Sequence, residues 1–275
     1  MSNRPTVDFG EKTDVGKVRA GNEDSCKVYR PDECPDGIDG LLVVADGMGG
    51  HAAGEDASRI TVETVVAFLT DAASEVGEME EDSLLRFMSD ALEEANQKVL
   101  EEAAISPEKH GMGTTCTAAL LKGNHSYIAH IGDSRAYLLR DSVLTRITKD
   151  HSFVEEEVER GALTPEEARV HPRRNVVTRA IGLGSDLNVD TYSADLESGD
   201  RLMLCSDGLN SMIPDAHIAE ILGEGDAQRS CDNLVNAANA AGGSDNVTVL
   251  VVELGKVTAE TDPILNTVPE SSGRF

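Results

Sequence analysis

The sequence predicts an α+β chain with sheets stacked inside and helices outside. Two observations carry that prediction. Short apolar runs bounded by turn residues recur along the whole chain, and runs of that length read as buried strands. Between them stand two long amphipathic stretches, Gly54 to Val76 and Asp82 to Ala104, which read as a pair of helices laid on a sheet. No internal repeat or composition shift marks a second unit, so a single domain is expected over residues 5–254.

In chain order, Val7 to Val18 reads as an opening strand or hairpin, turning at Asp14 to Lys17. Residues 19–25 form a polar loop, and Cys26 to Tyr29 a short strand. Pro31 to Gly40 is a Pro- and Gly-bearing surface connection into the apolar run Leu41 to Ala45. The first helix sets Ile60, Thr64, Ala67 and Phe68 on one face; the second does the same with Leu84, Phe87, Met88, Leu92, Ala95 and Val99. Strands are expected at Thr115 to Leu121, Ser126 to Ile131 and Arg135 to Leu139. A hairpin turn at Arg140-Asp141-Ser142 then leads into Val143 to Ile147. Lys149 to Gly161 and Thr164 to Val170 are polar with few core residues, which predicts a mobile flap over about residues 149–174. Val176 to Ile181 rejoins the body. Arg201 to Cys205 is a strand, Asp215 to Leu222 and Asp226 to Ala241 are helices, and Asn246 to Leu254 is the last strand. Residues 255–275, aperiodic and rich in Pro, Ser and Thr, are expected to be a disordered tail.

The bulk numbers exclude some classes of function. Against 24 Lys+Arg stand 50 Asp+Glu, a net charge of −26 that repels nucleic acid and anionic membrane surfaces. The 5 Cys are odd in number and form no C-x-x-C pair, which fits reduced thiols rather than a disulfide frame or a zinc site. The N-terminus has no apolar signal region and no run reaches membrane-spanning length, so a cytoplasmic monomer is expected.

The chemistry is concentrated where apolar strands run into aspartates. Leu41 to Ala45 ends at Asp46-Gly47-Met48-Gly49-Gly50; Leu202 to Ser206 ends at Asp207-Gly208. Ile128 to Ile131 leads to Gly132-Asp133-Ser134-Arg135, and Asp245 precedes the strand that starts at Asn246. A carboxylate at the lip of a buried strand is costly to ionise unless a cation or a hydrogen-bond network receives it. Four such strands suggest one carboxylate cluster, and therefore metal.

These motifs occur in a fixed order with Val18-Arg19-Ala20-Gly21-Asn22-Glu23-Asp24 ahead of them and Gly113-Thr114-Thr115 between them. Together they resemble the metal-dependent protein serine/threonine phosphatases (the PPM, or type 2C, phosphatases) in their compact bacterial form. The resemblance covers Val7 to Leu254 and implies a four-layer α-β-β-α sandwich, with a central antiparallel β-sandwich flanked by helix pairs. It implies two Mn²⁺ or Mg²⁺ ions and a weaker third. Asp46 would bridge two of them, and Gly47 would offer its carbonyl to one. Asp207 and Asp245 would hold the other, and Asp133, with Asp207, the third. Glu23 and Asp24 match acids that hold water around the ions, and Arg19 matches the arginine that grips the substrate phosphate. The implied reaction is hydrolysis of phosphoserine and phosphothreonine on proteins by a metal-activated water, with Arg19, Asp46 and Asp207 as its catalytic residues. The implied partners are a bacterial Ser/Thr kinase and its substrates.

The physics of the residues agrees. Hard oxygen ligands suit Mg²⁺ or Mn²⁺, and two ions on the order of 4 Å apart activate a shared water and brace a phosphate. A guanidinium fork meets phosphate oxygens bidentately. Animal relatives have a proton-donating histidine after the Asp-Gly pair; Met48 stands there, leaving water, or else His51 or His151, as the donor. Plainer readings exist for single residues: Asp-Gly is ordinary turn chemistry, Arg19 could be a surface ion pair, and His130 reads as a packed core histidine. The rival reading of the whole chain is a non-catalytic phosphoprotein-binding sensor or scaffold. Such relatives usually lose metal-ligand acids, and here all are kept. Neither G-x-G-x-x-G nor G-x-x-x-x-G-K-[ST] fits the glycines after Asp46.

Overall fold

The structure is a computed structural model that describes residues 6–50, 52–105 and 107–255. The first sheet orders its strands β2 (Asp24–Tyr29), β3 (Gly40–Met48), β5 (Cys116–Lys122), β6 (His125–Ile131) and β9 (Asp190–Asp195). The short β4 (Gly113–Thr114) joins the end of β3. The second sheet runs β1 (Val7–Asp14), β11 (Val247–Leu254), β10 (Arg201–Cys205), β7 (Arg135–Arg140) and β8 (Val143–Arg146). Every pairing is antiparallel. Helices α1 (Ala52–Asp71) and α2 (Glu81–Ile105) cover the first sheet. The second is covered by α5 (Asp207–Asn210), α6 (Asp215–Leu222) and α7 (Ala227–Ala240).

The alternation of side chains explains why the central strands are apolar throughout. On β3, Leu41 and Val43 face α1 and α2 while Leu42 and Val44 face the other sheet. On β10, Met203 and Cys205 face α5–α7 and Leu202 and Leu204 face inward; β11 repeats this with Val249 and Val251 against Leu250 and Val252. A strand covered on both faces has no use for a polar alternation. The result is the α-β-β-α sandwich that the sequence predicts.

Several elements differ from the sequence reading. The strand β9 was not expected: its residues alternate half-buried and exposed with none fully buried, so no apolar run marks it. The first helix stops at Asp71, and Val76 enters a separate 3₁₀ turn. Val176 to Ile181 rejoins the body through two isolated bridges, Val177 to Ser152 and Ile181 to Thr114. The flap contains two short helices, α3 (Phe153–Glu159) and α4 (Pro165–Val170), neither with a buried residue. Thr164 caps α4 with a full capping box to Glu167. The β7–β8 turn falls where expected, with Asp141 and Ser142 both at positive φ (49° and 64°), the two-residue geometry that matches strand twist. The expected tail lies, from residue 256 on, outside the described residues. Among those residues no helix is long and apolar enough to cross a membrane.

Candidate active site

The acids meet at one edge of the sandwich. Pairing of β2 with β3 sets Asp24 opposite Asp46, and the ends of β3, β6 and β10 deliver Asp46, Asp133 and Asp207 to a common cleft. The cleft has a volume of about 270 Å³, and Arg19, Glu23, Gly47 and Asp245 also stand on its wall. Seven of the eight residues singled out from the sequence therefore line one space. The eighth, Asp24, lies behind that wall. Its Oδ2 accepts from Ser206 Oγ (2.8 Å) and Thr248 Oγ1 (2.7 Å), tying β2 to the other sheet.

Backbone geometry holds Asp46 in place. Its N–H donates to Thr115 Oγ1 (3.0 Å), and its carbonyl accepts from Thr115 N (2.9 Å) and Thr114 Oγ1 (2.9 Å). Thr115 Oγ1 in turn meets Ser134 Oγ at 2.8 Å, joining the Asp46 strand to the loop that bears Asp133. Both Asp-Gly pairs owe their glycine to crowding. A Cβ on Gly47 would run into the Gly54 carbonyl, and one on Gly208 into the Asn246 carbonyl. Asn246 fastens the Arg19 loop. Its Nδ2 donates to the carbonyls of Val15 (3.0 Å) and Gly21 (2.9 Å), and its Oδ1 accepts from Glu23 N (2.8 Å).

Electrostatically the cleft is overloaded with negative charge. Burial, reinforced by Asp24, Asp207, Asp133 and Asp245, holds the Asp46 carboxyl well above the usual carboxylate range. Asp133 is pushed the same way by burial and then by Asp207 and Asp150. Asp207 rises to about 6, through burial and Asp245, against the hydrogen bond it shares with Asp46. Asp24 rises to about 7, chiefly through burial, although the Thr248 and Ser206 hydroxyls oppose the shift. One guanidinium answers this charge from the rim: Arg19 Nη2 lies 2.7 Å from Asp245 Oδ2, with its side chain half exposed.

The donors fit hard divalent ions. All are oxygens, they repel one another, and Asp24 Oδ1 is buried without a hydrogen-bond partner among the described residues. Among those residues no three His, Cys, Asp or Glu side chains close round a single point as a full protein cage would. Mg²⁺-type sites do not need such a cage, since the ion keeps several waters and takes one or two carboxylates.

The structure also sorts the histidines. His151 was a candidate proton donor from its position in the sequence. It is fully buried, its Nδ1 accepts from Gly132 N (3.0 Å), and its Nε2 lies 3.1 Å from Asp190 Oδ2. Both ring nitrogens are engaged away from the cleft, so His151 is a strut between flap and body. His130 is the core histidine expected, held by Thr117 Oγ1 (2.9 Å) and the Lys149 carbonyl (3.0 Å). Met48 lines the cleft, and His51 lies outside the described residues. Sequence reasoning missed Ser206, Thr248 and Asn246 as anchors, and Asn175 and Val177 as wall residues. Ser206, beside Asp207, and Asn246, beside Asp245, carried a signal through the quoted motifs; Thr248, Asn175 and Val177 carried none.

Comparison with known proteins agrees with this geometry. The family model described as protein phosphatase 2C matches residues 20–247. The serine/threonine phosphatase Stp of Listeria innocua is 38% identical over 245 residues, covering 88% of this chain and 94% of its own. PstP of Mycobacterium tuberculosis is 41% identical over 258 residues, 94% of this chain but only 47% of that longer protein. A crystal structure of the PstP catalytic domain in complex with two manganese ions superposes with a TM-score of 0.77. It is 38% identical and covers 91% of this chain and 99% of that one. A match that runs from the Arg19 loop into the last strand, together with relatives of this identity, makes the chain a member of the protein phosphatase 2C family.

Proposed function

We propose that the chain is a metal-dependent protein phosphatase that hydrolyses phosphoserine and phosphothreonine on proteins. The observation that carries this reading is the convergence of Asp46, Asp133, Asp207 and Asp245, from four separate strand ends, on one cleft with Arg19 at its rim. Asp46 and the Gly47 carbonyl, both on the cleft wall, would hold divalent ions there. Asp207 and Asp245, and Asp133 with Asp207, would hold further ions of the cluster, and Glu23 and Asp24 would hold water around it. When bound, such ions make a water nucleophilic near neutral pH and neutralise charge on the phosphate.

The chain's own residues supply position. Thr114, Thr115 and Ser134 fix the Asp46 and Asp133 loops, so ligand geometry is set before substrate arrives. Arg19 is tied to Asp245 at the rim of the cleft, where its fork would meet the substrate phosphate. Met48 cannot give a proton, and the leaving oxygen takes one from water. The domain spans residues 5–254 with a flap at about 149–174. Its partners are phosphorylated proteins, a Ser/Thr kinase and that kinase's substrates. The net charge of −26 and five free thiols favour a cytoplasmic monomer that binds neither nucleic acid nor membrane.

The test is turnover of a phosphothreonine peptide in Mn²⁺ and again in EDTA. Hydrolysis that requires Mn²⁺ is the expected result. Mn²⁺ binding without hydrolysis would transfer the chain to the phosphoprotein-binding reading.

A further inference from the structure

A second cavity, of about 450 Å³, adjoins the catalytic cleft and shares Asp133, Asn175 and Asp207 with it. Val154 and Val158 of α3 and Ala168 of α4 give it an apolar side beneath the flap, and Arg169 and Arg174 stand on its wall. Its acids are largely engaged. Asp150 is held by Arg135 (2.6 Å), Glu155 by Arg146 (2.5 Å), and Asp215 accepts from the Tyr137 hydroxyl (3.3 Å). Asp133 and Asp207 belong to the metal end.

The arginines are different. Arg19, Arg135, Arg146, Arg160 and Arg179, which surround the cleft and the flap, each meet an acid. Arg169, Arg173 and Arg174, consecutive along the end of α4 and the turn after it, meet none among the described residues. Lys17, Lys27, Lys122 and Arg229 also have no carboxylate partner among the described residues, but none of them lines this cavity or the cleft. Arg169 reaches only the Asn210 carbonyl (3.5 Å), and Arg173 lies over the Phe153 ring, 3.6 Å from its centroid. All three are exposed. The cluster thus stands, unpaired and exposed, beside a cavity that adjoins the catalytic cleft.

We infer that this cavity is a substrate subsite that takes acidic side chains flanking the phosphorylated residue, read by Arg169 and Arg174. The inference rests on the phosphatase reading and adds a substrate class to it. A body of net charge −26 repels acidic peptides as a whole. A local arginine pair reverses that repulsion at one place and in one register, which is how rim charge confers specificity. Arg173, held on Phe153, adds to the local potential without entering the cavity wall.

The test uses the full chain with saturating Mn²⁺ and two phosphothreonine peptides. One carries Asp and Glu at the flanking positions, and the other carries Asn and Gln there. The expected kcat/KM ratio is about fivefold in favour of the acidic peptide, the sum of two exposed charge contacts. In Arg169→Gln/Arg174→Gln the ratio falls towards one, and in the wild type it falls the same way as salt is raised to about 1 M. Equal kcat/KM for the two peptides in the wild type overturns the inference, and so does a ratio that survives the double substitution. A wild type that hydrolyses neither peptide nor p-nitrophenyl phosphate in Mn²⁺ overturns the phosphatase reading itself, and this inference with it.

Discussion

The edge of the sandwich and the flap above it hold charge in opposite ways. At the edge, carboxylates are crowded together, enclosed by two sheets and fixed through hydroxyl and backbone hydrogen bonds from Thr115, Ser206 and Thr248. In the flap, arginines are exposed at the ends of α3 and α4 and in the turn after α4, and these helices bury no residue of their own. The first region is rigid and electrostatically unsatisfied, as a site that receives cations must be. The second buries little of its own helices, which places it at the low-stability end of the fold. On the proposed reading, chemistry and selection fall to parts of the molecule with different stabilities.

The largest expected effect comes from neutralising an acid in the first region. Asp207→Asn should cut Mn²⁺-dependent turnover at least about a hundredfold, since it removes the negative charge and one carboxylate oxygen of a proposed metal ligand. Circular dichroism should show the fold intact. The rise in Tm that Mn²⁺ gives the wild type should shrink or vanish, because stabilisation by a ligand follows its affinity. Near-normal turnover would remove Asp207 from the metal site and break the comparison at its base.

Stability should divide along the same line. Leu92 is fully buried between α2 and the first sheet, whereas Val158, on α3 in the flap, is only partly covered. Leu92→Ala should cost about 3 kcal/mol in urea unfolding and Val158→Ala less than about 1 kcal/mol. A loss of several kcal/mol at Val158 would mean that the flap belongs to the core.

That division also governs what the sequence could reveal. Leu41 to Ala45 and Leu202 to Ser206 are legible because burial on both faces requires an unbroken apolar run, and the acids at their ends stand out against it. β9 is opaque because an edge strand with a half-exposed face reads like a loop. The anchors of the site were hidden for another reason. Asp24 takes its two hydroxyl partners from Ser206 and Thr248, 182 and 224 residues away, and no local spacing encodes that meeting. His151 stood as an alternative to water because its place along the chain says nothing about which way the ring faces. In the flap, α4 could have been read from its capping box of Thr164 and Glu167 with Pro165 at the first turn. The scarcity of apolar residues argued against it.

A smaller effect concerns the seam between the two regions, where His130 holds the Lys149 carbonyl at the base of the flap. Burial, helped by His151, lowers the His130 pKa to about 3. A histidine whose folded pKa lies below its unfolded value of about 6.5 binds fewer protons when folded, so stability is fully present above that value and is lost as pH falls towards 3. Between pH 7 and pH 5 the loss from this group is about 2 kcal/mol. His130→Gln keeps a donor for the Lys149 carbonyl and cannot titrate. With Mn²⁺ saturating in both proteins, the variant should show a pH dependence flatter by about that amount. Parallel curves would mean that the imidazole is solvated in solution and the seam is open.

The smallest effect tests whether the flap moves by itself. Arg160 pairs with Glu156 (3.3 Å) and Glu157 (2.8 Å) within one turn of the end of α3, and its side chain is 65% exposed. Pairs of this kind contribute about 0.3–0.5 kcal/mol. Arg160→Gln should therefore leave the global unfolding free energy within about 0.5 kcal/mol of wild type. Hydrogen exchange gives the sharper measurement. If α3 opens locally, its amides should exchange about twofold faster in the variant, by a route that urea barely affects, while those of α2 keep their wild-type rates. The reason is that a local opening exposes little surface and feels only the contacts it breaks. An equal acceleration in α2 would show that flap and body unfold together. In that case the arginines beside the cleft would be as rigidly placed as the acids within it.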